Sequence, residues 1–311
     1  MKVKNGIIGF VVGDTMGVPV EFNSRERLLL KPVTEMLEYG THNMPKGCWS
    51  DDTSMTLATM DSIIKCKEIN TNDMADRFIK WYRNGEYTAT RIMFDIGTTT
   101  QQALIKYQRG VDIASNCGGE RKFDNGNGSL MRMLPIAYYC FVKELEDKEI
   151  LKKVKEVSSI THRHQISVLG CYIYVRLAIE LLKRKEILQA YQEIKKLDYS
   201  YFTEDTIHQY ERILNNNIEL YNIDEIRSSG YVVDTLEAVI WSLINSSNFN
   251  ETIIKAINLG EDTDTIGACV GGLAGIYYGV ENINQKWKDE ILRYEYIINM
   301  CKEFEKSIKG E

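Results

Sequence analysis

The residues whose types and spacing best suit a chemical role lie in an acidic stretch late in the chain, at 260–267. Glu261, Asp262 and Asp264 occur there within four residues and are followed by Thr265. No Lys or Arg lies close to them in sequence, and packed carboxylates without a partner repel each other unless a metal ion sits among them. The alternative is a helix N-terminus capped by Asp or Thr, with solvated acids.

A second stretch of the same kind, residues 49–55, lies far upstream. It places Ser50 before Asp51 and Asp52, has no nearby Lys or Arg, and opens an apolar helical pattern. Oxygen ligands without His or Cys favour Mg²⁺, Mn²⁺ or Ca²⁺ over Zn²⁺. If the fold joins the two stretches, four carboxylates and two hydroxyls are enough for a pair of ions about 3.5–4 Å apart.

The composition limits the classes of function. The chain has 311 residues, of which 44% are hydrophobic and 26% charged, and its net charge of −6 disfavours nucleic-acid binding. Seven cysteines without a Cys-x-x-Cys pair suggest reduced thiols, and we expect a cytoplasmic protein. The longest uncharged apolar segment, 266–280, is too short and too rich in glycine to span a membrane.

The pattern of apolar residues predicts an all-α fold. Strand-like alternation is scarce, and no proline follows Pro135. Because a shared acidic site requires one closed fold, we predict a single domain over residues 1–311. The predicted helices cover residues 3–17, 52–66, 72–83, 97–109, 129–143, 148–160, 164–184, 186–197, 204–214, 231–246, 250–258, 264–280 and 287–307.

Two of these helices carry glycines at helical spacing. They are Gly6, Gly9, Gly13 and Gly17 in the first and Gly267, Gly271, Gly275 and Gly279 in the late one. Each glycine inside a helix costs about 1 kcal/mol relative to alanine, so regular spacing indicates a compensating contact. We predict that the two helices pack closely in the core.

Three further features are candidates for ligand contacts. The stretch Gly126-Asn127-Gly128-Ser129 precedes a predicted helix, where free N–H groups bind anions, although a plain turn capped by Ser129 is the alternative. Of the pair His162 and His164, we expect the first to contact substrate and the second to lie at the surface. Tyr231 has the ring to stack on a flat ligand, but aromatic residues at helix starts more often belong to the core.

Taken together, these features resemble the ADP-ribosylglycohydrolase family. The matching pieces run in family order from residue 9 to about residue 280. They are Gly9-x-x-x-Gly13-Asp14-x-x-Gly17-x-Pro19-x-Glu21, Trp49-Ser50-Asp51-Asp52-Thr53, Gly126-Asn127-Gly128-Ser129-x-Met131-Arg132, Thr161-His162, Gly230-Tyr231-Val232-Val233-Asp234-Thr235-Leu236-Glu237 and Gly260-Glu261-Asp262-Thr263-Asp264-Thr265.

The resemblance implies a compact orthogonal helical bundle with two Mg²⁺ or Mn²⁺ ions at the mouth of an ADP-ribose cleft. The implied metal ligands are Ser50, Asp51, Asp52, Asp262, Asp264 and Thr265. The implied diphosphate cradle is Gly126 to Ser129, with His162 near ribose or phosphate and Tyr231 near adenine. The proton-handling carboxylate would be Glu21 or one of the metal-bound acids Asp52 and Asp264.

The implied reaction is hydrolysis of the bond between the anomeric carbon of ADP-ribose and a protein side chain, through an oxocarbenium-like transition state. We expect arginine as the modified residue. Hydrolysis of O-linked ADP-ribose, on serine or as O-acetyl-ADP-ribose, is the alternative within this class. A non-catalytic ADP-ribose-binding protein is the alternative outside it, but every acid of the metal motif is present. The expected partner is an ADP-ribosylated protein or a small conjugate, and the protein is expected to be a monomer without contacts to nucleic acid or membrane.

Overall fold

The computed structural model describes residues 2–311, so only Met1 of the predicted domain lies outside it. The described residues form α-helices and short 3-10 turns with no β-strand, which confirms the all-α prediction. The α-helices are α1 Val3–Gly17, α2 Arg25–Leu30, α3 Asp51–Cys66, α4 Thr71–Asn84, α5 Thr98–Gln108, α6 Leu134–Val142, α7 Asp147–Ser158, α8 Gln165–Leu182, α9 Ile187–Ile194, α10 Glu204–Gln209, α11 Glu211–Leu214, α12 Val232–Ile244, α13 Phe249–Ile257, α14 Thr263–Tyr278, α15 Gln285–Glu290 and α16 Tyr294–Lys309.

Helices α1 and α14 lie at the centre of the fold and touch backbone to backbone. A Cβ atom built on Gly13 would lie 1.8 Å from the carbonyl oxygen of Gly267, and one on Gly9 would lie 2.2 Å from that of Gly271. No side chain fits at either position. The close packing predicted from the glycine spacing is therefore confirmed.

The remaining helices surround this pair and share one contiguous cluster of buried apolar side chains. Helix α8 passes through the core and is the one described helix that is long and apolar enough to cross a membrane. Because 89% of its apolar window is buried inside the fold, its hydrophobicity is that of a core helix.

Several predicted helices are interrupted. The segment 129–143 is a 3-10 turn at Leu130–Arg132 followed by α6, because Pro135 occupies the first turn of a new helix rather than the interior of an old one. The segment 204–214 divides at Tyr210 into α10 and α11. The segment 287–307 divides into α15 and α16, and Arg293, which directly precedes α16, has a left-handed φ of 52°.

Helix α2 was not predicted. It begins after Ser24, whose Oγ accepts a hydrogen bond from the N–H of Arg27 at 3.4 Å, and it buries a single apolar residue, Leu28. A helix of six residues with one buried side chain has no apolar periodicity to detect.

Candidate active site

The first acidic stretch is held in place by Asp14, a fully buried residue of α1. Its Oδ1 accepts a hydrogen bond from the N–H of Ser50 at 3.0 Å. Its Oδ2 accepts two more from Thr53, from N–H at 3.0 Å and from Oγ1 at 2.6 Å. Asp14 therefore binds the start of α3, where the free N–H groups of a helix favour a carboxylate. Burial raises the pKa of Asp14 to about 6, although these bonds oppose the rise.

Ser50 caps α3, and Asp51 and Asp52 form its first turn. Asp52 Oδ2 accepts two hydrogen bonds, one from Ser50 Oγ at 3.0 Å and one from Thr265 Oγ1 at 3.3 Å. Thr265 belongs to the late acidic stretch, 213 residues further along the chain. The structure thus brings the two stretches into direct contact.

The late stretch turns into α14 directly after Asp262. The side chain of Asn127 donates to Asp262 Oδ2 at 2.9 Å, and the N–H of Thr265 donates to Asp264 Oδ1 at 2.9 Å. Carboxylate oxygens of Asp262, Asp264 and Glu21 all lie within 4.8 Å of one another. Three acids at this separation, two from the late stretch and one from the loop after α1, form a suitable cage for a hard cation.

Three carboxylate oxygens in this cluster are shielded from solvent and have no hydrogen-bond partner in residues 2–311. They are Asp52 Oδ1, Asp262 Oδ1 and Asp264 Oδ2. Burial, followed by repulsion from neighbouring acids, raises the pKa of Asp52 and Asp264 well above its ordinary value. Unpartnered buried acceptors are costly, and oxygen-only donors match Mg²⁺ or Mn²⁺, so the residues present fit a metal centre.

The acids open into a cavity of about 290 Å³ that also contacts the predicted cradle and His162. A larger cavity of about 1070 Å³ adjoins it and reaches Tyr231. Phe123, Gly126 and Gly230 line both, so the two form one cleft that starts at the acids. Its dimensions suit an elongated ligand with a polar end at the carboxylates.

The predicted cradle faces this cleft with three of its four residues, since Gly126, Asn127 and Gly128 line the smaller cavity. Ser129 is fully buried, and its Oγ lies 3.3 Å from Cys171 Sγ and accepts a bond from Ser158 Oγ at 2.9 Å. Its side chain neither reaches the cleft nor caps a helix. Ser129 thus anchors the loop in the core.

His162 lines the smaller cavity and is buried, with Nδ1 paired to Thr161 Oγ1 at 2.8 Å. Burial, and then the charge of Arg132, lowers the pKa of His162 to about 3, so the ring is neutral. A Cβ atom built on Gly128 would lie 3.0 Å from Cε1 of His162, so a side chain at position 128 would crowd the imidazole ring. His164 caps α8 by accepting from the N–H of Ile166 at 3.3 Å.

Tyr231 precedes α12 and is half-buried in the larger cavity. Its hydroxyl donates to Gln209 Oε1 at 3.3 Å. An isolated antiparallel bridge pairs its backbone with that of Gly126, which places the residue beside the cradle loop. The residue therefore lines the larger cavity and not the smaller one that contains the acids.

Sequence reasoning missed three residues of this site, Asp14, His42 and Asp95. His42 Nε2 hydrogen-bonds to Glu21 Oε2, and Asp95 lies with both in a group of potential ligands. Burial raises the pKa of Glu21 to about 7 against the lowering effect of His42, and the charges of Asp95 and Asp262 add to the rise. Asp14 follows Gly13 in a recognised motif and was detectable, whereas His42 and Asp95 occupy loops without a sequence signal.

Comparisons with known proteins agree with this geometry. The family model for ADP-ribosylglycohydrolase matches residues 1–311. The ADP-ribosylarginine hydrolase of Serratia proteamaculans is 31% identical over 97% of this chain and 78% of its own. The ADP-ribosyl-[dinitrogen reductase] glycohydrolase of Rhodospirillum rubrum is 27% identical over 93% of this chain and 90% of its own.

A solved structure, titled an ADP-ribosylglycohydrolase-related protein complex, superposes with a TM-score of 0.80 at 25% identity and covers 99% of this chain and 98% of its own. The family match spans the whole chain, and the relatives are hydrolases, which confirms the resemblance and the prediction of an enzyme. The chain belongs to the ADP-ribosylglycohydrolase family.

Proposed function

We propose that this protein releases ADP-ribose from modified arginine side chains and that its acidic cluster holds two Mg²⁺ or Mn²⁺ ions. The observation that carries the proposal is the set of three buried, unpartnered carboxylate oxygens in the acidic cluster at the smaller cavity. Arginine is favoured because the relatives at 30–31% identity are named ADP-ribosylarginine hydrolases. Their match covers 97% of this chain, including both acidic stretches.

The residues of the cleft suggest how ADP-ribose lies in it. Gly126 and Gly128, which have no side chains, leave room for a diphosphate next to the neutral ring of His162, and their N–H groups are the donors available to it, since that of Asn127 donates to the carbonyl oxygen of Gly230. The adenosine end then extends towards Tyr231 in the larger cavity. This placement leaves the distal ribose, and the bond to be broken, at the carboxylates.

The cluster would hold the ions through Asp51, Asp52, Asp262 and Asp264, with Ser50 and Thr265 as hydroxyl donors. When bound, divalent ions fix ribose hydroxyls and lower the pKa of a coordinated water. Glu21 lies at the edge of this cluster and is hydrogen-bonded to His42. A carboxyl group whose pKa is about 7 can carry a proton to the departing nitrogen or accept one from water near neutral pH.

The decisive assay measures free ADP-ribose released from an arginine-modified protein, with Mg²⁺, with Mn²⁺ and with a chelator. We expect turnover with either ion and none after chelation. Parallel reactions on serine-linked ADP-ribose and on O-acetyl-ADP-ribose test the O-linked alternative. Binding of ADP-ribose by calorimetry without turnover on any of the three substrates would reject the proposal in favour of a non-catalytic binder.

A further inference from the structure

Phe22 is an exposed aromatic residue at the mouth of the acidic cavity. Its side chain is 70% exposed, although it follows the buried Glu21 directly. Its φ of 63° is left-handed, a conformation that non-glycine residues rarely adopt, and its N–H donates to the carbonyl oxygen of Glu261 at 2.7 Å. The N–H of Glu261 in turn donates to the carbonyl oxygen of Asn23 at 2.8 Å. The loop is thus held in an unfavourable backbone geometry that keeps a large apolar ring in solvent.

The surroundings of this ring combine aromatic faces with carboxylates. The ring centroid of His42 lies 6.0 Å from that of Phe22 and 5.2 Å from that of Phe94. Glu21 and Asp95 lie beside this aromatic group and line the same cavity as Phe22. Aromatic faces and carboxylates attract the same type of ligand, a planar cation.

Phe22 also lies at the end of the cleft where the reaction occurs. It lines the smaller cavity with Asp51 and Asp262 but not the larger cavity that reaches Tyr231. A ring at this end does not meet adenine. It faces the position of the group that leaves the distal ribose.

We propose that Phe22, with Glu21 and Asp95, forms the subsite for the guanidinium of the departing arginine, and that this subsite selects N-linked over O-linked ADP-ribose. The inference rests on the proposed function. The ring of Phe22 stacks on the guanidinium plane, while Asp95 and the Glu21 oxygen that is not bonded to His42 accept hydrogen bonds from its N–H groups. A serine hydroxyl has neither a charge nor a plane and gains nothing from this subsite.

The test replaces the ring without changing its apolar character. We expect Phe22→Leu to lower kcat/KM for arginine-linked ADP-ribose by about two- to fivefold, the range of an exposed cation–π contact. Phe22→Tyr, which keeps an aromatic ring at this position, should have the same kcat/KM as the wild type. The rate on serine-linked ADP-ribose and the affinity for free ADP-ribose stay unchanged. Equal losses on both linkages, or weaker ADP-ribose binding, would overturn the proposal because the ring would then contact ADP-ribose itself.

Tyr39 provides a matched control. It is also an exposed aromatic residue, at 54%, with a left-handed φ of 65°, and it lines neither cavity of the cleft. Tyr39→Leu should leave the ratio of the two activities unchanged. A shift in this ratio equal to that of Phe22→Leu would show a general effect of losing a surface ring, and the subsite would be rejected.

A second measurement separates this inference from the proposed function. Methylguanidinium is titrated into the wild-type complex with ADP-ribose and metal, and into the same complex of Phe22→Leu. Weaker binding by the variant supports the subsite even if arginine-linked substrate is not turned over. Equal binding, or no binding to the wild type, overturns it.

Discussion

Replacing Gly13 by alanine should separate the two central helices and weaken the metal site at the same time. The new Cβ would lie 1.8 Å from the carbonyl oxygen of Gly267, whereas real Cβ contacts essentially never fall below 3.0 Å. Helices α1 and α14 must therefore move apart by about 1 Å at this point. Both atoms that collide are backbone or fixed to it, so no rotamer change relieves the contact.

The magnitude follows from two opposing effects. Overpacking of a core costs about 1–3 kcal/mol, and a clash with backbone belongs at the upper end. The better helix propensity of alanine stabilises the folded state by about 1 kcal/mol relative to glycine. We expect a net loss of about 2 kcal/mol in the free energy of unfolding, which corresponds to a fall in Tm of about 3 °C for a chain of this size.

Calorimetric unfolding with chelator present measures this loss, and titration with Mn²⁺ measures the effect on the site. Gly97→Ala is the stability control, since the nearest atom to its new Cβ is Thr100 Oγ1 at 4.0 Å. Its Tm should stay within about 2 °C of wild type. If Gly13→Ala has an unchanged or higher Tm, helix propensity dominates and the packing argument is refuted.

Three further predictions concern the acids. Asp264→Ala should lose Mn²⁺ binding and hydrolysis together while its circular dichroism stays native, and retained turnover would reject its role. Asn127→Ala, which frees Asp262 from its 2.9 Å hydrogen bond, should weaken Mn²⁺ binding by about ten- to a hundredfold, as removal of outer-shell partners does; unchanged affinity would contradict this. In chelator, the free energy of unfolding should fall as pH rises from 5 to 8, because the raised pKa values of Asp14 (about 6) and Glu21 (about 7) make the folded chain bind more protons than the unfolded one. Denaturant titrations at several pH values measure this, and stability that rises over the same range would refute it.

The elements that depend on side-chain type and spacing could be predicted from the sequence. The glycine spacing predicted the contact of α1 with α14, and the absence of local cations predicted that the acids of both stretches need an external partner. These inferences succeed because a glycine row or an uncompensated charge is costly anywhere in a fold. The energetic cost of such residues therefore indicates that a compensating contact exists.

The loops of the site could not be predicted in the same way. Phe22 and Asp95 adopt left-handed backbone conformations, with φ of 63° and 53°, without the glycine that normally indicates them. Ser129 faces the core because Ser158 and Cys171, distant in sequence, bind its hydroxyl. The division between α10 and α11 at Tyr210 likewise involves no proline or glycine. In each case tertiary contacts decide a local conformation.

The last turn of α1 supports both acidic stretches. Asp14 binds the start of α3 through three hydrogen bonds. Gly17 accepts a bond from Thr263 Oγ1 at 2.8 Å, and a Cβ atom on Gly17 would lie 2.4 Å from the Cα of Asp264. Contacts with α1 thus hold the two acidic stretches in place, which is why acids that repel each other stay together. A site held in this way needs little rearrangement to accept cations, so most of the binding energy of the ions is available for affinity.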